Sequence, residues 1–280
     1  MSARDTPLGI TYWEIGNQIF STPFGIQPAD YRDSLEDFRA AMISADGNIE
    51  VGACVPTWRE AQYDSWPGVV LDAEPTRPYD FAIPHFYVGA ASPTAGIDAL
   101  FANTMPRIRT DLDVYSEASS GLARIWSTEV NTRFGLYEGS NTADIPDNFM
   151  LKSALACAAA QLTLAGRGAM GSDVFTAAAV SNGTATSVDA RDLRLLAVDQ
   201  IKDTESGVAK PSQRQWVTPT YHVQKLLGHF AQENPITTAC ASPVLVAQAF
   251  KTTDFLRLFI VNTDPEDAQT ARVYLAEGIN

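Results

Sequence analysis

The sequence predicts an α/β fold of about five parallel β/α units followed by a small antiparallel β-appendage. Three observations lead there. Short apolar runs of strand length alternate with longer stretches of helical period, which is the pattern of parallel β/α units. From Pro243 onward that alternation stops, and apolar runs follow one another with only turn residues between them. The chain has 280 residues, 45% of them hydrophobic and 19% charged, enough to bury one large core with a minor extension.

Thr11 to Gly16 reads as the first, buried strand. Asp30 is expected to cap a helix that carries Tyr31, Leu35, Phe38, Met42 and Ala45 on one face, at spacings of four and three, until Asp46-Gly47-Asn48 stops it. Ile49 to Val55, Phe81 to Val88 and Ala123 to Val130 are the next strands. A long helix runs from about Phe149 to Ala165, with Leu155, Leu162, Ala158 and Ala159 inward and Gly166 as its stop. Ser172 to Ala177 is the fifth strand, and Pro219 opens a further helix with Tyr221, Leu226, Leu227 and Phe230. Between these last two, Ser181 to Trp216 is polar, with only Leu193 to Val198 apolar, and reads as a long excursion with room for one short strand. Val244 to Phe250, Phe255 to Val261 and Ala271 to Leu275 are the expected strands of the appendage.

The formal net charge is −13, which excludes a nucleic-acid partner, because phosphate-backbone binding needs clustered Lys and Arg. A neutral sugar is unaffected by that charge. Cys54, Cys157 and Cys240 are few, far apart and odd in number, and each has small or apolar neighbours. They are expected as buried thiols, without disulfide or zinc spacing. His85, His222 and His229 are scattered, so no metal is expected, and no cofactor is called for. No run approaches the ~18 apolar residues of a membrane span, so no membrane partner is expected. Met1 to Asp5 lack an apolar signal core. Nothing in the sequence assigns a compartment.

The chemistry gathers at strand ends. Tyr12-Trp13-Glu14-Ile15-Gly16-Asn17-Gln18 is an apolar strand that breaks off in Gly-Asn-Gln. It resembles the "YWEIGNE" strand end of retaining clan A glycoside hydrolases, closest to their α-L-arabinofuranosidase-like branch. Thr128-Glu129-Val130-Asn131 resembles the "TE-x-N" nucleophile strand of the same enzymes, and Pro84-His85-Phe86-Tyr87 resembles their "H-x-Y" strand. The order of the three motifs matches, and the likeness spans nearly the whole chain.

The resemblance implies a partial (β/α) TIM-type barrel over residues 1–235 and a truncated β-sandwich appendage over residues 236–280. It places Trp13 to Gln18 on the fourth family strand, so the first three units are absent and five parallel strands are too few to close a barrel of eight. The expectation is an open barrel, or closure by a second polypeptide or a second copy. The chain is then a fragment, half of a split enzyme or a truncated relative.

It also implies the site. Glu129 is the nucleophile, and Gln18 stands where the family has its general acid/base Glu. Retaining hydrolysis sets two carboxyl groups ~5–5.5 Å apart, so Gln18 and Glu129 are expected as neighbours. Asn17 takes the place of the family Asn that binds the sugar hydroxyl beside the reacting carbon, and Asn131 does the same from the nucleophile strand. Strand alternation sends His85 and Tyr87 to one side. Both would line the pocket, with Tyr87 on the nucleophile. Trp58 and Trp66, after the second strand, fit an aromatic platform for a sugar. Glu14 shares strand parity with Gln18 and would lie about 13 Å deeper at ~3.3 Å per residue, too far to replace the missing acid, so it is expected in a buried ion pair.

An amide hydrogen-bonds a glycosidic oxygen but neither protonates it nor deprotonates water. Two functions stay open on this sequence: a retaining glycosidase of impaired activity, and a non-catalytic carbohydrate-binding or assembly protein that inherited the fold. The substitution itself reads as a pseudoenzyme's, a knock-out's, or that of an enzyme borrowing an external base.

Overall fold

A computed structural model describes residues 9–20, 25–57, 65–73, 75–90, 97–134, 149–174, 178–180, 196–202, 209–230, 234–242, 244–264 and 267–275. The first half is a repeating β/α series: β1 (Tyr12–Ile15), α1 (Pro28–Ala45), β2 (Glu50–Val55), α2 (Trp66–Val70), β3 (Phe81–Ala90), α3 (Ile97–Ala118), β4 (Arg124–Phe134), α4 (Phe149–Gly166) and β5 (Gly171–Val174). The five strands form one sheet in the order β1-β2-β3-β4-β5, every pair parallel. Five parallel strands in sequence order, with β1 and β5 as edges, make a half-barrel, the expected architecture.

One face of the sheet is the core. Val51, Ala53 and Val55 of β2, Ala82, Phe86 and Val88 of β3 and Val130 of β4 pack against Tyr31 and Leu35 of α1, Ile108, Leu112 and Tyr115 of α3, and the small-residue run of α4. Alanines at 156, 158, 159 and 160 let α4 lie close to the strands. The other face carries Tyr12, Phe81 and Trp126, whose rings meet edge-on or tilted at 5.0 to 6.0 Å. Gly52 sits among them because a Cβ there would collide with Ile83 and Phe81.

Some expectations are corrected. Pro28, not Asp30, sets the start of α1: the helix begins at proline, whose fixed φ suits the first turn, and Gln27 is the flanking residue. Phe38 is 57% exposed, since α1 meets the sheet through Tyr31 and Leu35. The 22-residue helix α3 is not legible in the sequence because Pro106, a helix breaker by propensity, lies inside it.

After β5 a second, mixed sheet follows, built of β6 (Ala178–Val180), β7 (Leu196–Lys202) and β8 (Ala209–Val217), with β7 antiparallel to β8. The polar excursion therefore holds two strands rather than one; β8, AKPSQRQWV, has no apolar alternation that would mark it. Helix α5 (Pro219–Phe230) starts at Pro219 as expected. The appendage is the antiparallel sheet β11-β10-β9, from β9 (Asn234–Ile236), β10 (Leu245–Lys251) and β11 (Leu256–Asn262). Its third strand is β9, and residues 271–275 are not a strand. The expected boundary between residues 235 and 236 falls inside β9. Among the described residues no helix is long and apolar enough to cross a membrane.

Candidate active site

The C-terminal ends of β1, β3 and β4 converge, and there the backbone departs from regular strand twice. β1 stops at Ile15, and the chain bends through Gly16 at φ 86° and Gln18 at φ 46°, both left-handed. A side chain on Gly16 would press Ile19 at 3.0 Å, so glycine answers two constraints at once. Tyr31 braces the bend from α1: its hydroxyl donates to the Ile15 carbonyl at 2.6 Å and accepts the Cys54 N–H at 2.9 Å. Backbone N–H groups of Gln18 and Ile19 point at the Cys54 sulfur. Burial, with the Glu14 carboxylate nearby, pushes the Cys54 thiol up to about 12.

The second departure is a β-bulge in β4. Its pairing with β3 runs from Ala82↔Ile125 to His85↔Glu129, and with β5 from Ser127↔Ser172 to Val130↔Val174. In both ladders β4 spends one residue more than its partner. Ser127 Oγ stitches the irregular stretch, near the Pro84 carbonyl at 2.8 Å and the Glu129 carbonyl at 3.2 Å. Bulges of this kind re-aim side chains beside sites, and here two consecutive residues, Thr128 and Glu129, reach the same ring.

That ring is His85, 4% exposed, at the centre of the cluster. Nδ1 lies 3.0 Å from Gln18 Nε2 and 3.4 Å from Glu129 Oε2. Nε2 lies 3.0 Å from Thr128 Oγ1 and 3.4 Å from Glu14 Oε1. Thr128 donates to Glu14 Oε2 at 2.9 Å. Tyr87 donates its phenol proton to Glu129 Oε2 in a short hydrogen bond. Thr57 holds the His85 backbone through its carbonyl, 2.8 Å away.

The structure thus brings together Gln18, His85, Tyr87 and Glu129. Asn17 is exposed at the bend beside them. Asn131 is buried, and its Oδ1 accepts from the Thr132 N–H at 2.7 Å and from the Cys157 thiol of α4 at 3.6 Å. Trp58 lies outside the described residues. Trp66 is not a platform: it is 2% exposed, stacked on Tyr31 and bonded through Nε1 to the Cys54 carbonyl. Sequence reasoning missed Thr128 and misplaced Glu14. Counting along an extended strand set Glu14 far below Gln18, but the chain turns at Gly16, so the two side chains bracket one imidazole. Glu14 was expected in a buried ion pair; its neighbours are instead the Thr128 hydroxyl and the His85 imidazole, with Oε1 3.4 Å from Nε2. Among the cysteines, Cys54 and Cys157 are buried, whereas Cys240 is exposed in the loop before β10.

No protein-family model and no curated protein matches the sequence. Solved structures do match the fold. The chain is similar to the family 51 arabinofuranosidase of Xanthomonas axonopodis pv. citri, with a TM-score of 0.62, 16% identity and coverage of 93% of this chain and 53% of that one. For the family 51 α-L-arabinofuranosidase AbfB of Bifidobacterium longum the TM-score is 0.64 at 14% identity, covering 92% and 54%. For the α-L-arabinofuranosidase of Thermotoga maritima, solved as an arabinose complex, it is 0.55 at 18% identity, covering 94% and 54%. The chain spans about half the length of these structures. The half-barrel and its appendage therefore share the fold of about half of each of these solved arabinofuranosidases.

Proposed function

We propose that the protein is a carbohydrate-directed, retaining O-glycoside hydrolase of α-L-arabinofuranosidase type, in which Gln18 occupies the acid/base place and activity on ordinary glycosides is impaired. One observation carries the reading: the Gln18 amide and the Glu129 carboxylate meet at a single nitrogen of His85, at the ends of parallel strands where barrel enzymes keep their chemistry. Glu129 attacks the anomeric carbon, the bond to the leaving group breaks, and a glycosyl ester forms on Glu129. Tyr87 orients the attacking carboxylate. Gln18 holds the leaving oxygen by a hydrogen bond but supplies no proton, so only a group that departs as an anion leaves readily. Water then has no base at position 18, and the ester persists. Asn17 and Trp58 are the proposed sugar contacts; Asn131, expected as a third, is 2% exposed with its Oδ1 turned to the Thr132 N–H, so it is not proposed to reach the sugar.

The open edge of the half-barrel supports a second component. Tyr12 and Trp13 of β1 are 44% and 41% exposed, and no strand pairs with the outer side of β1 among the described residues. Unpaired parallel edges are costly, and a second polypeptide or a second copy that pairs there would complete the site wall.

Incubation with an aryl α-L-arabinofuranoside bearing an activated leaving group tests the reading. The expected result is a mass gain of one pentosyl unit, mapped to the peptide holding Glu129 and lost in Glu129→Ala. The non-catalytic sugar-binding alternative draws on the amide at Gln18. It predicts no adduct in the parent protein, together with heat of binding on titration with an unactivated arabinoside.

A further inference from the structure

Glu14 and Thr128 have no part in the chemistry just described, yet their hydrogen bonds determine which nitrogen of His85 holds its proton. Thr128 has one hydroxyl proton and two close partners, Glu14 Oε2 at 2.9 Å and His85 Nε2 at 3.0 Å. A carboxylate only accepts, so the hydroxyl donates to Glu14 and must accept from His85. Nε2 therefore bears a hydrogen. Glu14 Oε1 agrees with this: it is out of solvent, has no hydrogen-bond partner among the described residues, and lies 3.4 Å from the same Nε2. An N–H there offsets the cost of a buried carboxylate oxygen, while a lone pair would add to it. On the far side of the ring, Nδ1 is 3.0 Å from Gln18 Nε2, an amide nitrogen that only donates. The neutral ring satisfied on both sides has its proton on Nε2 and its lone pair on Nδ1.

We propose that Glu14 and Thr128 are positioning residues that impose this tautomer on His85, and that through it they set the Gln18 amide beside Glu129. The bulge in β4 makes the relay: without the extra residue, Thr128 and Glu129 would point to opposite faces. If the relay is cut, the ring is free to carry its proton on Nδ1. That N–H faces Glu129 Oε2 at 3.4 Å, an oxygen already holding the Tyr87 proton, and a second donor there lowers its nucleophilicity. The Gln18 amide must then turn its oxygen to the ring. This last consequence rests on Glu129 being the nucleophile; the tautomer does not.

Long-range proton–nitrogen correlation spectra of the imidazoles test the relay directly, at about pH 8, above the ordinary histidine range. The sequence has three histidines, and His222→Gln and His229→Gln identify the remaining signal as His85. The expected pattern is Nε2–H in the parent and in Thr128→Ser, and Nδ1–H in Thr128→Val and Glu14→Ala. A parent ring protonated on Nδ1 overturns the proposal whether or not the variants fold. So does an unchanged ring in a folded Thr128→Val protein. The same variants are then given the activated arabinofuranoside. Thr128→Val is expected to label Glu129 about 10-fold more slowly, the size of one hydrogen bond to a charged group, and Thr128→Ser to restore the rate. A ring that switches with no change in labelling rate overturns the coupling to Glu129. A parent that never labels removes the hydrolase reading, while the ring spectra still decide the relay.

Discussion

Thr128 and Glu129 are neighbours in the sequence, yet they meet opposite nitrogens of the same imidazole, Thr128 at Nε2 and Glu129 at Nδ1 of His85. Regular strand geometry forbids that, since successive side chains leave a sheet on opposite faces. The bulge between Ser127 and Val130 permits it, and one inserted residue thereby brings two polar side chains to the strand end. The left-handed bend at Gly16 and Gln18 does the matching work on β1, bringing Gln18 to Nδ1 of the ring whose Nε2 lies 3.4 Å from Glu14.

Tyr87→Phe removes the phenol proton from Glu129 and leaves the ring in place. A hydrogen bond to a charged group is worth about 1.5–3 kcal/mol, so labelling of Glu129 by an activated arabinofuranoside is expected to slow by about 10- to 100-fold. Rapid-mixing mass spectrometry gives the rate, and circular dichroism confirms the fold. Labelling at the parent's rate would place Tyr87 outside the chemistry.

The fold was legible wherever period and punctuation agree. β2, β3 and β4 are apolar runs bounded by turn residues, and α4 and α5 stop at Gly166 and start at Pro219, so their places followed from residue type alone. What escaped has physical causes. Pro106 disguised α3, and the polar composition of β8 left no alternation to read. Tertiary pairing, not periodicity, made β9 the third appendage strand in place of 271–275. In the site, Gln18, His85, Tyr87 and Glu129 were singled out by motifs that resemble a known family, and the structure sets these four side chains together. Thr128 was invisible because a bulge is a property of two ladders, not of one sequence, and Glu14 was misjudged because the left-handed bend at Gly16 and Gln18 cancels an extrapolation along a strand.

Gly16→Ala tests the bend. A non-glycine residue held at positive φ costs about 1–3 kcal/mol, and the new methyl meets Ile19 Cγ2 at 3.0 Å. Urea unfolding is expected to show a stability loss in that range, with the denaturant slope unchanged. An unaltered midpoint would mean that the chain does not need its left-handed turn at residue 16.

Thiol titration separates the cysteines. Burial pushes the Cys54 and Cys157 thiols up to about 12, so both stay protonated, shielded and unreactive at neutral to mildly alkaline pH. Cys240 is exposed. In the native protein at about pH 8, near the free-thiol range, a colorimetric disulfide reagent is expected to titrate Cys240 promptly and the other two only on unfolding. Prompt reaction at Cys54 would show that the floor beneath Gln18 opens.

Gln18→Glu should restore what the amide cannot do. The new carboxyl would stand beside His85 Nδ1, where the amide nitrogen now sits at 3.0 Å, and close to Glu129 on the same nitrogen. Two carboxyl groups so placed resist double ionisation, so one of them retains a proton, which is the state a general acid needs. After the leaving group departs, the same carboxylate can take a proton from water and release the sugar from Glu129. General acid–base catalysis is worth about 10²- to 10⁴-fold. Turnover of an unactivated arabinofuranoside is therefore expected to rise by that factor over the parent when a second polypeptide or copy closes the half-barrel as proposed, while the activated substrate ceases to accumulate as an adduct. Initial rates on both substrates, with Gln18→Ala as the control, give the comparison. A folded, closed Gln18→Glu protein that turns over no faster than the parent would show that position 18 is not the acid/base place.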